Sequence, residues 1–187
     1  MALLPITLYG DKILRKKTAR VTEVDVKTVK LIKDMFDTMK NAPGIGLAAN
    51  QVGADKRIFI ADISSVEGYE NSKPMVFINP KIEKFSEEKN TMEEGCLSIP
   101  EIRLDIERPK QITVKFQDTE LNEHILDADE LLARVIQHEC DHLNGILFTD
   151  KIPDELKKKL KKDLSKIKHR KIEVEYPVTQ NIDYCLK

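Results

Sequence analysis

The sequence predicts an α+β fold, on three observations. Apolar residues recur at helical spacing in three separated stretches, near residues 26–40, 128–143 and 153–168. Strand-like runs cluster between the first two of these and do not alternate singly with helices. The chain is 187 residues long, 41% hydrophobic and 34% charged, which suits one globular domain with a substantial core.

In chain order, Val26 to Lys40 reads as a helix with Val26, Val29, Phe36 and Met39 on its apolar side. Pro43 to Gly53 is rich in small residues and leads into a strand at Arg57-Ile58-Phe59-Ile60. Small residues let the backbone approach a ligand closely, although an ordinary Gly-rich connection would look the same. A phosphate loop does not fit, because no Lys-Ser/Thr follows the glycines. Further strands are expected at Met75–Ile78, Ile102–Ile106 and Ile112–Phe116, with a hairpin turn over 118–122. Ala128 to Leu143 reads as a helix with Asp127 as N-cap, Glu130 completing a capping box and Asn144-Gly145 as the stop. Pro153 opens a Lys-rich helix to about Lys168, and 172–176 alternates like a short terminal strand.

The second of these helices carries His138-Glu139-Cys140-Asp141-His142, an H-E-x-x-H motif. Two His four residues apart lie about 40° apart around a helix, so both imidazoles can reach one metal ion. Glu139 stands roughly 100° round from His138, where its carboxylate can exchange a proton with a water on that ion. Leu131 and Val135 share the His face, so the pair sits at the end of a buried stripe, and buried imidazoles need partners. Cys140, about 200° from His138, should not join the ion. Asp141 is either a helix-surface carboxylate or a group that holds a His tautomer.

Two His leave a metal short of ligands. The chain has three Cys, and Cys96 in Glu94-Gly95-Cys96-Leu97-Ser98 is the candidate, against the alternative of a small buried hydrophobe. A metal held by Cys96, His138 and His142 keeps one position open, which marks a catalytic site over a closed structural one.

Three segments together resemble the peptide deformylase family: Gly44-Ile45-Gly46-Leu47-Ala48-Ala49-Asn50-Gln51, Glu94-Gly95-Cys96-Leu97-Ser98, and His138 to His142. They match that family's G-x-G-x-A-A-x-Q, E-G-C-L-S and H-E-x-D-H motifs in order, and the resemblance runs from about residue 6 to 150. It implies antiparallel β-sheets packed around a central metal-binding helix, and a single catalytic domain over residues 1–187. It implies hydrolysis of the N-formyl group of formyl-methionine on newly made proteins, with release of formate. In that reading Cys96, His138 and His142 are ligands, Glu139 moves the proton, and the Gln51 amide and Leu97 N–H steady the oxyanion. Ile45, Leu131 and Val135 would line a methionine pocket, the Ile45-Gly46 backbone would pair with the substrate, and Gly95 and Arg103 would stand beside it, with Glu94 as a candidate partner of Arg103. One ion per chain is implied, Fe2+ natively, with Zn2+, Ni2+ or Co2+ as substitutes.

Two other classes compete with this reading. An H-E-x-x-H zinc peptidase usually takes a downstream His or Glu, and Glu155 is the nearest downstream Glu. A metal-stabilised binding module would need a fourth protein ligand and would unfold without its metal. Scattered, odd-numbered cysteines make no disulfide framework and suit a reducing cytoplasm, which the resemblance implies to be of bacterial type. No 18-residue apolar run marks a membrane span, and Met1–Pro5 does not read as a signal peptide. Nothing in the pattern points to DNA. Residues 154–171 carry nine Lys or Arg against three acids, a net +6, whereas the whole chain is −1. Leu156, Leu160, Leu164 and Ile167 should dock this helix and turn its basic face outward, either as a solvated face or as a weak contact with ribosomal RNA.

Overall fold

The computed structural model describes residues 3–186; residues 1, 2 and 187 of the expected domain lie outside the described residues. Ten elements organise it. Helix α1 (Val26–Asn41) precedes β1 (Gly46–Ala48) and β2 (Ile58–Ala61). Five strands run on from β3 (Met75–Phe85) through β4 (Lys89–Cys96), β5 (Ile99–Pro109) and β6 (Gln111–Gln117) to β7 (Glu123–Asp129). Helices α2 (Glu130–Leu143) and α3 (Asp154–Lys168) follow. The expected α+β class and central helix are both present.

Strands β1-β2-β3-β6-β7 form one antiparallel sheet in that order, and β4 pairs with β5 in a separate two-stranded ribbon. All four residues of β2 are buried because helices cover both its faces. Phe59 faces the cluster under α2, stacked on Phe77 at 4.4 Å and joined by Ile136, Cys140 and Leu143. Ile58 and Ile60 face Leu31, Ile32 and Met35 of α1. On β6, Ile112, Val114 and Phe116 are buried while Thr113 and Lys115 are not, the period-2 pattern of a one-sided sheet. The stripe of α3 docks as expected: Leu164 and Ile167 are buried with Leu8, Ile99 and Phe148, and Leu156 and Leu160 pack partly against them.

Three sequence expectations are corrected, and one strand, β4, was not foreseen. On α1, Val26 is 86% exposed and Val29 53% exposed. Met39 is buried and Phe36 packs partly against the core as expected, but the rest of the buried face is Leu31, Ile32 and Met35, with Asp25 capping the helix by accepting from Thr28 N at 2.7 Å. Helix α2 begins at Glu130, not Ala128. Asp127 is still strand, its carboxylate accepting from Thr113 Oγ1 at 2.6 Å, because pairing of β7 with β6 extends to Asp129 and overrides the local capping signal. Strand β4 is longer and more polar than a strand signal, since Glu94 is its one fully buried residue. Finally, 172–176 is not a strand. Its burial alternates, but no neighbouring strand supplies hydrogen bonds, and Val178 makes only a single parallel bridge to Ile6.

Candidate metal and catalytic site

Helix α2 presents His138 and His142 on one face, their rings 4.9 Å apart and inclined at 67°. The turn between β4 and β5 brings Cys96 to them. The register shifts between Gly95 and Cys96, so that Cys96 pairs with Ile99 and its side chain is re-aimed at the helix. Cys96 Sγ lies 3.2 Å from His142 Nε2, and one ligand atom from each of the three residues lies within 4.8 Å of the others. Metal–ligand bonds of roughly 2.0–2.3 Å in a tetrahedron put ligand atoms about 3.5 Å apart, so this spacing fits one ion. Burial drives His142 well below its ordinary pKa, which keeps it neutral, as a ligand must be.

Glu139 lies between the two His and is 4% exposed. Its Oε2 is a buried polar atom without a partner, as is His142 Nδ1. Burial pushes its carboxyl up to about 7, against the opposing pull of His138. A carboxylate poised near neutrality is suited to take and return a proton. Glycine is required at position 46 by this side chain: a Cβ there would come within 2.5 Å of Glu139 Oε1 and 2.9 Å of Val135 Cγ1.

Gln51 closes the other side. Its Oε1 accepts from Ala48 N at 2.8 Å, which turns the amide toward the site, and Nε2 donates to Ser98 Oγ at 3.2 Å and to Cys96 Sγ at 3.4 Å. Asn50 anchors the helix end by donating to the His142 carbonyl at 2.6 Å. A cleft of about 520 Å³ opens over these groups. Ile45, Gly46, Leu131 and Val135 form one wall, and Gly95, Leu97 and Arg103 stand on another. All the expected site residues therefore border this cleft except His142, which is buried behind Cys96.

One open alternative is decided and one expected pairing is corrected. Asp141 does not hold a His; it accepts from Arg108 at 2.6 Å and pairs with Lys151 at 3.1 Å. Glu94 holds His138 instead, accepting from Nδ1 at 2.9 Å and leaving Nε2 for the metal. Nor does Glu94 pair with Arg103, which is solvent-facing and contacts Glu93 at 3.4 Å. Strand alternation explains this: Glu93 and Glu94 point to opposite faces, and only Glu94 points inward.

Sequence reasoning missed Arg108 and Arg134 altogether. Arg108 binds Glu94 bidentately at 2.6 and 2.8 Å, and Arg134 donates to Glu94 at 2.8 Å and to the Ile106 carbonyl at 2.7 Å. Burial alone would raise the Glu94 pKa, but hydrogen bonds from Arg108 and His138 outweigh it and hold the carboxyl well below the usual range. The one available signal was Arg134 on the inward face of α2, four residues before His138.

Cys140 faces the core beneath the helix, where burial pushes its thiol up to about 12. We therefore expect Cys96→Ser to lose most bound metal on dialysis and Cys140→Ser to retain it, as read by elemental analysis. Equal loss in the two variants would discard the ligand set.

A family model for polypeptide deformylase matches residues 3–158. The peptide deformylase of Chlorobium phaeobacteroides (strain BS1) is 45% identical over 185 residues, covering 99% of this chain and 100% of that protein. Among solved structures, the peptide deformylase of Ehrlichia chaffeensis in complex with actinonin superimposes with a TM-score of 0.82 at 41% identity, covering 92% of this chain and all of that one. A plant peptide deformylase superimposes with a TM-score of 0.83 at 33% identity, covering 96% and 98% of the two chains. Motifs, site geometry and near full-length similarity agree, and the chain belongs to the polypeptide deformylase family.

Proposed function

We propose that Cys96, His138, His142, Glu139, Gln51 and Leu97 carry the deformylation of N-formyl-methionyl peptides, within one catalytic domain. The observation behind this reading is the unpartnered, buried Glu139 oxygen beside a three-ligand cluster at the floor of a cleft. Cys96, His138 and His142 would hold a divalent ion, which when bound would supply Lewis acidity. Glu139 accepts the proton of the attacking water and hands it to the leaving amine. The Gln51 amide and the Leu97 N–H donate to the oxygen on which negative charge develops. Formate and a free amino terminus leave.

The substrate fits the same cleft. Strand β1 is the edge of its sheet, bonded to β2 on one side only, so the backbone beside Ile45-Gly46 can receive an extended peptide as an added strand. Ile45, Leu131 and Val135 offer a partly apolar recess for a methionine side chain. Formate release from a formyl-Met peptide, with no cleavage of its unformylated counterpart, supports the reading; the reverse result would point to a peptidase. Glu155, the ligand a peptidase reading would need, is exposed in the first turn of α3.

One thiolate and two imidazoles suit Zn2+ by ordinary preference, whereas the family resemblance favours Fe2+ with Ni2+, Co2+ or Zn2+ as substitutes. We take Fe2+ as native and a reducing cytoplasm as its setting, which also preserves the Cys96 thiol. Among the described residues, no helix is long and apolar enough to cross a membrane.

The exposed Lys158, Lys161 and Lys162 on the outer face of α3 suit a salt-sensitive contact with ribosomal RNA. Lys168 contributes less, since its aliphatic stem packs over Gly10. Replacing Lys158, Lys161, Lys162 and Lys168 by Glu is expected to abolish low-salt pelleting with ribosomes while leaving turnover of a short formyl peptide unchanged. Unchanged pelleting would leave α3 as a solvated face.

A further inference from the structure

Beyond α3, and outside the region matched by the family model, the chain folds back along the cleft and lines one wall of it. The loop from 171 to 178 is tied at its base. Arg170 pairs with the buried Asp11 and donates to the Thr179 carbonyl at 3.1 Å, and Thr179 Oγ1 donates to Asp11 at 2.6 Å. The Ile6 backbone bonds the returning limb on either side of Val178, donating to the Pro177 carbonyl at 2.8 Å and accepting from Thr179 N at 2.9 Å. Ile172 and Val178 pack into the cluster that also contains Cys96, and Val174 and Tyr176 border the cleft.

At the tip, Tyr176 donates its hydroxyl to the Leu97 carbonyl at 2.9 Å across 79 residues of sequence. Besides the Cys96–Ile99 pairing at its base, the turn it touches is held from the body: Tyr9 N donates to the Ser98 carbonyl at 2.8 Å, and Gln51 donates to Ser98 Oγ. Leu97 itself is tethered by Tyr176. Burial keeps the phenol protonated and therefore a donor.

We infer that Tyr176 is a positioning residue for the reaction: by holding the Leu97–Ser98 peptide plane it steadies the adjoining Cys96–Leu97 plane, whose Leu97 N–H is aimed at the developing oxyanion. This rests on the proposed role of Leu97. A hydrogen-bond donor near a reaction centre must be set to within about 0.5 Å to be effective, so a tether on the carbonyl of the same residue bears on turnover.

The test is Tyr176→Phe, which keeps the ring in the wall and removes only the hydroxyl. With a short formyl-Met peptide, kcat should fall roughly three- to tenfold, the loss expected for one neutral hydrogen bond, with KM changed less than about twofold. Metal content should match the parent protein, and backbone amide exchange over residues 97–98 should quicken. An unchanged kcat, a loss confined to KM, or metal lost in step with activity would overturn the inference. If the parent protein releases no formate, the functional reading fails instead, and unaltered amide exchange would then overturn the tether as well.

Discussion

Replacing Glu139 by Gln is expected to leave the protein folded and metal-loaded and to lower kcat by about 10²–10⁴-fold, the usual contribution of a positioned acid–base group. Gln is nearly isosteric, so it keeps the contact with Gly46, where less than a methyl group separates side chain from backbone. It cannot accept and return a proton. His138 and His142 flank it in sequence but point to the cysteine side, so their ligand geometry should survive. Metal content and kcat must therefore part company. Metal lost in proportion to activity would make Glu139 part of the metal-binding machinery and not a proton carrier.

The largest effect on stability is expected at Glu94. Its carboxylate accepts from Arg108, Arg134 and His138 together, with both guanidinium side chains 5% exposed or less. Glu94→Leu would leave two buried cations with much of their compensation removed, a loss on the order of 3–5 kcal/mol, measurable as a denaturant midpoint shift. Metal affinity should also fall by roughly 10–100-fold, because His138 loses the acceptor that orients its ring. A stability change below about 1 kcal/mol with intact metal affinity would show that the network is ornamental. The pH dependence has a definite sign. The Glu94 pKa is depressed on folding, so its contribution is complete above the unfolded value of about 4.3. It is lost as pH falls through the lower folded value.

The parts of the site that were legible in the sequence are those encoded at short range. His138 and His142 share a face because of helix geometry alone, and Cys140 is excluded by the same phase. Cys96 was a candidate by composition, and its place beside the helix required the ribbon β4–β5 to fold against α2. The polar strand β4 illustrates the difficulty. Its single buried residue is a glutamate, and nothing local reveals that two arginines, 14 and 40 residues away, make that burial favourable.

From sequence alone come the class of fold, the helical ligand pair, the proton carrier beside it and the amphipathic face of α3, all of which depend on residues within a few turns of one another. Tertiary structure decided what depends on partners far along the chain. Pairing of β7 with β6 set the true start of α2, overriding a local cap. Glu94, and not Asp141, became the holder of His138, because ribbon β4–β5 turns that carboxylate toward the helix. The alternating tail after Ile172 became a wall of the cleft instead of a strand, since alternation specifies which side chains turn inward but only a neighbouring strand can supply the bonds of a sheet.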